Sequence, residues 1–246
     1  MNPREWAKRV EAAAELQSGS DERFNGYGIM GLPFRSGHVL ALRRFVASSV
    51  GPGYTALWHR APSGAWTFYA DVAPGQSCAR YFGSQVARAV QTPITIHWSE
   101  PDRFQFAVPA EKLACEALLR SSAAAGLMNL MGGLLPDAAW RDPSVMGAMA
   151  PLAGALLGVG RVGLQGRAPN GQRFVANPRR LWMISQARAA NALEEFGPIG
   201  PVEPQARLGD FWVPQRGVFA LGRAFFEPFD AVRHSSRTSV ATAPEA

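Results

Sequence analysis

The clearest alternation of apolar and polar positions lies in residues 54–71, on either side of a tight turn at 61–64. Successive side chains of a strand point to opposite faces of a sheet, so this pattern predicts a hairpin of two short strands. One predicted face is aromatic, and the other carries groups that can exchange protons. The aromatic residues are Tyr54, Trp58, Trp66 and Phe68. The hairpin therefore suits either the wall of a ligand cavity or an ordinary core.

Similar alternation predicts strands in later blocks of the chain. An Asn-Gly turn at 170–171 joins two of them. The predicted strands outside the first hairpin are 38–46, 94–99, 104–108, 161–167, 172–176, 179–187, 210–213 and 218–226. Residues 24–34, in contrast, are rich in glycine and are predicted to form an irregular strand or loop that leads into the sheet.

Helical spacing of apolar residues appears in three segments. The first is 3–17, at the start of the chain. The second is 77–90, where Ser77 is placed to cap the helix N-terminus. The third is 121–160, a methionine-rich stretch with two apolar patches, which we interpret as a helical insertion between two blocks of strands.

Together these elements predict a mainly β fold. The strands, roughly eight to ten in number, lie mostly in adjacent hairpins and do not alternate with helices, which argues against a doubly wound fold. A long antiparallel sheet tends to curl and close, so we predict an antiparallel, barrel-like sheet. We divide the chain into an N-terminal helix at 1–20, one barrel-like domain at 21–228 with the helical insertion at 121–160, and a disordered tail at 229–246.

Composition narrows the expected partners. The chain has 246 residues, of which 47% are hydrophobic, enough to bury a sizeable core. The net charge is +6, but the arginines are spread along the chain without a basic cluster, so no nucleic-acid partner is expected. Cys78 and Cys115 lie far apart, which argues against a disulfide framework. The charged N-terminal stretch is unlike a secretory signal, and we expect a cytoplasmic protein.

No metal or cofactor is predicted. The histidines lack the HxH and HExxH spacings that place two ligands on one face, and the cysteines lack a CxxC pair. The glycines in 26–31 lack the order of a dinucleotide-binding loop. No G-x-S-x-G motif indicates a serine nucleophile.

The aromatic hairpins and the segment GRAPNGQ at 166–172 resemble those of lipocalin-like barrels, among them the carotenoid-hydratase-like proteins. This resemblance implies a barrel with an apolar interior that holds a hydrophobic molecule. The blocks GYTALWHRAPSGAWTFY, SCARYFG and GDFWVPQRG look like those of an uncharacterised bacterial protein family. Neither resemblance assigns catalytic residues.

His59 and His97 lie on the less apolar faces of predicted strands. If these strands share a sheet, the two imidazoles can meet, and with Asp71 or Glu100 nearby they can form an acid–base pair in an apolar pocket. The alternative is that each histidine serves a local hydrogen-bond network or lies in solvent. The proposed catalytic set is His59, His97 and Asp71.

A second set of residues is expected to line a ligand cavity or, alternatively, to fill the barrel. These residues are Tyr54, Trp58, Arg60, Trp66, Trp98, Phe104 and Arg43. Arg43 and Arg60 stand mid-strand among apolar neighbours. A buried arginine needs an anionic partner, which is either an acidic side chain of the protein or the carboxylate of a ligand.

Three functions remain open. The first is binding of a hydrophobic small molecule, such as a lipid, isoprenoid or polyketide, in a β-barrel cavity. The second is a cofactor-free hydratase, cyclase or isomerase that uses His59, His97 and Asp71. The third is a membrane-surface or protein-interaction module that uses 143–160, an uncharged segment rich in Gly, Ala and Pro. A buried or lid helix is the simpler interpretation of that segment.

Overall fold

The computed structural model describes residues 1–235. Its helices are α1 (Pro3–Ala12), α2 (Ala79–Phe82), α3 (Ala123–Leu134) and α4 (Pro143–Leu157). Its strands are β1 (Glu22–Pro33), β2 (Val39–Ser48), β3 (Tyr54–Arg60), β4 (Trp66–Ala70), β5 (Arg88–Gln91), β6 (Thr95–Glu100), β7 (Arg103–Val108), β8 (Leu113–Arg120), β9 (Gln165–Arg167), β10 (Arg173–Ala190), β11 (Arg207–Leu208), β12 (Phe211–Trp212) and β13 (Val218–Phe226).

Eleven of the strands in the described part of the chain form a large curled sheet, a half-barrel, in the order β5-β4-β3-β2-β1-β13-β10-β8-β7-β6, with β9 paired to β10. Strands β11 and β12 pair with each other in a separate small sheet. A mainly β fold with an N-terminal helix and a helical insertion was predicted, and this part is confirmed. The prediction of a purely antiparallel sheet was wrong, because β5 pairs with β4 in parallel, with Thr67 opposite Arg88. The helical turns between β4 and β5 carry the chain back to the starting end of β4, which is what a parallel neighbour requires.

The concave face of the half-barrel is filled. Alternate residues from nearly every long strand meet there in one apolar cluster, which includes Ile29, Leu42, Leu57, Phe104, Leu119 and Phe219. Helix α1 adds Ala7 to this cluster, and a capping box between Asn2 and Glu5 fixes the start of the helix. Because packed side chains occupy the interior, the lipocalin-like expectation of a ligand inside the barrel is not supported.

Two further apolar clusters cover the convex face. One lies over β2, β3 and β4 and is closed by segments around 78–86 and 202–213. The other lies over β10 and β13 and is closed by α3 and α4. Ser122 and Asp142 cap the N-termini of these two helices, and Gly158 ends α4 with a φ of 61°. The predicted insertion is therefore a helical cover on the outside of the sheet.

The glycine-rich segment 24–34 is the regular strand β1 and not an irregular leading segment. It pairs with β13 on one side and with β2 on the other. A Cβ at Gly26 would lie 2.0 Å from the carbonyl oxygen of Arg44, and one at Gly28 equally close to that of Leu42. These glycines allow neighbouring strands to approach closely. Because they contribute no apolar side chain, the sequence of this central strand does not show the alternation typical of a strand.

The helix predicted over 77–90 was also too long. Only Ala79–Phe82 is α-helical, and Arg88–Gln91 is strand β5. The Ser77 hydroxyl does accept a hydrogen bond from the amide of Ala79, at 3.2 Å.

No helix within residues 1–235 is long and apolar enough to cross a membrane. In the segment predicted as a disordered tail, His234 is buried and contacts Glu227 at 3.1 Å, while 236–246 lie outside the described residues.

Candidate ligand cavity

An apolar cavity of about 170 Å³ lies between the two convex clusters. Its floor is the sheet, and its roof is formed by α3, α4 and the segment around 211–214. The side chains on its walls are predominantly aliphatic and aromatic. Cavities of this kind, lined by apolar groups with a few convergent polar ones, are where small molecules bind in proteins.

Part of the floor of the cavity is formed by two glycines. Gly26 of β1 lies directly opposite Gly222 of β13, and both line the cavity. A Cβ at Gly222 would lie 2.0 Å from the carbonyl oxygen of Asn177 on β10. At this point β1 and β13 therefore present no side chain to the cavity, and β13 approaches β10 closely, which leaves room beneath the helices.

The roof is built by methionine, leucine and tryptophan side chains. Met128 comes from α3, and Met149 and Leu157 come from α4. Trp140, in the turn between these helices, is buried and donates its indole N–H to the carbonyl of Gly132 at 3.3 Å. Methionine adapts its shape to irregular apolar partners, so this roof suits a bound molecule better than a rigid lining does.

Arg43 is the one charged side chain buried at the wall of the cavity among the described residues. It donates to the carbonyl oxygens of Ile29, Leu42 and Met30. No carboxylate within residues 1–235 pairs with it. Burial lowers the pKa of Arg43 to about 10, which still leaves the guanidinium charged near neutral pH.

Three other polar groups lie beside this charge. The Tyr54 hydroxyl is 3.5 Å from the Cys78 sulfur. The indole N–H of Trp58 faces Cys78 but makes no hydrogen bond of ordinary geometry. Burial raises the pKa of the Cys78 thiol, although Tyr54, Arg43 and Trp58 oppose that rise. Burial likewise raises the pKa of Tyr54, so both groups are neutral at pH 7.

Asn177 adds an unmatched acceptor. It is 2% exposed, lines the cavity from β10, and its side-chain oxygen has no hydrogen-bond partner within the described residues. A buried carbonyl oxygen without a donor is costly, so such groups usually meet a water or a ligand.

The structure separates the predicted ligand-binding residues. Tyr54, Trp58 and Arg43 line the cavity. Trp66 packs in the same convex cluster without reaching the cavity. Trp98 and Phe104 belong to the concave core instead, with their ring centroids 4.8 Å apart. Arg60 is partly buried, does not line the cavity, and donates to the carbonyl of Gly37 at 3.1 Å.

The predicted catalytic residues lie in three places. His59 bonds to His38, with 2.9 Å between Nε2 and Nδ1, and His38 in turn contacts Glu194 at 3.0 Å. His97 is exposed on β6, close to one edge of the sheet. Asp71 is exposed just after β4 and accepts the amide N–H of Thr55 at 2.8 Å. No contact joins His59 to His97 or to Asp71.

Sequence reasoning missed Cys78 and Asn177 as cavity residues. Cys78 follows the aromatic hairpin by only a few residues, but the predicted helix around it gave no reason to place it against Tyr54. Asn177 is a polar residue next to Pro178 inside the long strand β10, and this break in an apolar pattern is the signal that could have identified it.

Two solved structures are similar to this chain in outline. One, from a structural study of acetoacetate decarboxylase, has 10% sequence identity over 89% of this chain and 90% of that chain, with a TM-score of 0.41. The other is the crystal structure of acetoacetate decarboxylase from Legionella pneumophila, with 8% identity, 87% of each chain covered and a TM-score of 0.36. No protein-family model and no curated protein matches the chain.

Proposed function

We propose that this protein binds a small hydrophobic molecule in the cavity beneath α3 and α4. The observation that carries the proposal is the cavity itself, which has a volume of about 170 Å³ and a largely apolar wall. A cavity of about 150 Å³ lined by leucine, isoleucine and phenylalanine stays dry and binds benzene. A molecule with a single ring or a short branched chain therefore fits this volume, whereas a long lipid chain does not.

The cost of leaving the cavity empty supports this proposal. Deleting core side chains destabilises proteins by about 24 cal/mol per Å³ of enclosed void, because the side chains around the void lose packing contacts. A folded domain is stable by only about 5–15 kcal/mol in total. A molecule that fills the cavity restores the missing contacts, and binding then increases stability by mass action.

Toluene, a small apolar probe, tests the proposal through the melting temperature. At ten times its Kd, toluene should stabilise the folded state by about 1.4 kcal/mol and raise Tm by about 3–5 °C. Ala153→Leu places a larger side chain in the cavity from α4 and should abolish the rise. Ala155→Leu is the matched control, because Ala155 is exposed on the same helix. A wild-type Tm that does not respond to toluene contradicts the proposal.

A second candidate is contact with a membrane surface through the outer side of the same helices. Leu127, Leu130 and Leu134 of α3 form an exposed stripe at helical spacing, and neither α3 nor α4 carries a charged residue. Such a stripe can insert at the boundary between lipid headgroups and acyl chains.

Flotation with phosphatidylcholine–phosphatidylglycerol vesicles tests this second candidate. The wild type should float, and a variant with Leu130→Ser and Leu134→Ser should not. Leu193→Ser is the control, because Leu193 is 90% exposed in a separate loop. Wild-type protein that stays at the bottom of the gradient eliminates the candidate.

The third candidate, a proton-transfer enzyme, needs His59, His97 and Asp71 in one site. Since they lie apart, no observation of the structure favours that set.

A further inference from the structure

We infer that the molecule held in the cavity is a small apolar carboxylic acid, whose carboxylate binds at the end formed by Arg43, Trp58 and Tyr54. This inference rests on the proposed function, since it assumes that the cavity is a binding site. It adds the chemical class of the ligand and the side chains that recognise it.

The positive charge of Arg43 has no carboxylate partner among the described residues. A guanidinium has five N–H donors, and carbonyl oxygens accept three hydrogen bonds from this one. These bonds fix the position of the group without neutralising it. Its central carbon also lies 4.8 Å from the ring centroid of Trp58 and 5.5 Å from that of Phe211. A buried cation of this kind is stabilised most by an anion with oxygen acceptors.

Two neutral hydrogen-bond donors lie beside this cation. Trp58 is 2% exposed, and its indole N–H has no partner of ordinary geometry among the described residues. The Tyr54 hydroxyl faces only the weakly hydrogen-bonding sulfur of Cys78. An N–H, an O–H and a guanidinium therefore surround one end of the cavity. The N–H and the O–H have no strong acceptor there, and the guanidinium meets only neutral carbonyl oxygens. A carboxylate supplies such acceptors to all three.

The residues that the structure describes place no negative charge at this end of the cavity near neutral pH. Among the described residues, the other ionisable groups at this end are Cys78, Tyr54 and Tyr81, and burial raises the pKa of each, which keeps all three neutral near pH 7. Glu22 lies behind Tyr81 and is already held by Arg80 at 2.6 Å. The cavity end is thus positive near neutral pH, and an acid is favoured there over an amine or a second cation.

The remaining wall limits the rest of the ligand. It is apolar apart from Arg223, which is paired with Asp137 at 3.2 Å, and Asn177, whose free oxygen accepts a hydrogen bond from a ligand hydroxyl or from a water. The volume admits a ring or a short branched chain attached to the carboxylate. Aromatic and branched-chain monocarboxylic acids are therefore the class that fits.

Benzoate, benzyl alcohol and toluene are the probes that test this inference, because they share one ring and differ in the headgroup. Ligand-dependent stabilisation of the wild-type protein gives a Kd for each. We expect benzoate to bind at least about tenfold more tightly than benzyl alcohol or toluene. Equal or weaker binding of benzoate overturns the inference and leaves the proposed function standing. If none of the three probes binds, the proposed function fails as well.

Two variants test which side chains make benzoate bind more tightly than toluene. Arg43→Met should remove the advantage of benzoate over toluene. Trp58→Phe keeps a ring in place and should reduce that advantage without abolishing toluene binding, so it tests the site even if Arg43→Met does not fold. Arg103→Met is the matched control, since Arg103 is a strand arginine paired with Glu116 away from the cavity. A benzoate preference that survives in both Arg43→Met and Trp58→Phe also overturns the inference.

Discussion

The guanidinium of Arg43 lies over the indole ring of Trp58, with its central carbon 4.8 Å from the ring centroid. The same indole also stacks on Phe68, with the ring centroids 4.6 Å apart and the two planes 9° apart. A charged group is thus held at the wall of an apolar cavity by stacking and by backbone carbonyls. The stacking and the hydrogen bonds that hold Arg43 therefore also position the charge that we propose recognises the ligand.

Filling the cavity should stabilise the empty protein. Ala153→Leu replaces void with methyl groups, and we expect the free energy of unfolding to rise by about 1 kcal/mol if the side chain finds an unstrained rotamer. Denaturant unfolding of the purified variant measures this change. Ala155→Leu should change it by less than about 0.5 kcal/mol, since exposed substitutions usually have small effects. If Ala153→Leu instead lowers the free energy of unfolding, as an added side chain does in a core that is already filled, the result would contradict the presence of a void.

Replacing glycine by alanine should destabilise the protein at one position and stabilise it at another. Gly26→Ala places a Cβ 2.0 Å from the Arg44 carbonyl oxygen, and we expect a loss of about 3 kcal/mol or more because backbone must move. Gly126→Ala, within α3, meets nothing within 4 Å. It should stabilise the protein by about 0.5–1 kcal/mol, because alanine favours helix. Thermal unfolding of both variants checks the contrast, and similar effects at the two positions would refute the close approach of β1 and β2.

Stability should fall as the pH drops from about 6.5 to about 4. Burial and the neighbouring His38 lower the pKa of His59 to about 4, against an ordinary value of 6.5. Between these values the unfolded chain binds the proton more readily, so unfolding becomes easier as the pH falls. The loss is at most about 3 kcal/mol. His59→Gln should flatten this slope in denaturant unfolding at several pH values. His97→Gln is the matched control, because His97 is an exposed histidine that does not contact His59. An equal slope in wild type and His59→Gln would show that His59 is not the group responsible.

Glu22 should stabilise the wall that carries Cys78. Although burial alone raises the pKa of Glu22, hydrogen bonds from Arg80, Tyr81 and Gln172 hold it below 4.5. Its contribution is therefore present above pH 4.5 and is lost as the pH falls further. Glu22→Gln should lower the free energy of unfolding at pH 7 by about 1–3 kcal/mol.

The matched control is Glu195→Gln, because Glu195 is exposed and its carboxylate makes no hydrogen bond or ion pair among residues 1–235. Urea unfolding at pH 7 compares the two variants. If Glu22→Gln is as stable as Glu195→Gln, the network around Glu22 does not hold this wall.

The period-two pattern of the strands was enough to predict some of the side chains that line the cavity. Tyr54 and Trp58 alternate in the sequence and do share a face of β3, and Arg43 lies on the same face of β2. Trp98 and Phe104 show the same alternation, yet their faces turn toward the concave core. Alternation defines two faces of a strand but does not identify which one a cavity adjoins, since that depends on how the sheet curls and what covers it.

Long-range pairing was the part that the sequence did not reveal. The path of the sheet places β3 near one edge and β6 at the other, so His59 and His97 do not share the local face that the pairing hypothesis required. Instead, His38 reaches His59 because β2 and β3 are adjacent. In the same way, the glycines of β1 show no apolar alternation, and only their neighbours on β2 and β13 explain them.

Native mass spectrometry of the wild type and of Ala153→Leu, purified in parallel and followed by solvent extraction, tests the central claim most directly. The account predicts that the wild type carries a small organic acid in stoichiometric amount, and that Ala153→Leu has only the mass of its own chain. Co-purification of the same molecule with both proteins would place it outside the cavity and contradict the account. A wild type that stays at its bare mass even after incubation with benzoate and toluene would contradict it as well.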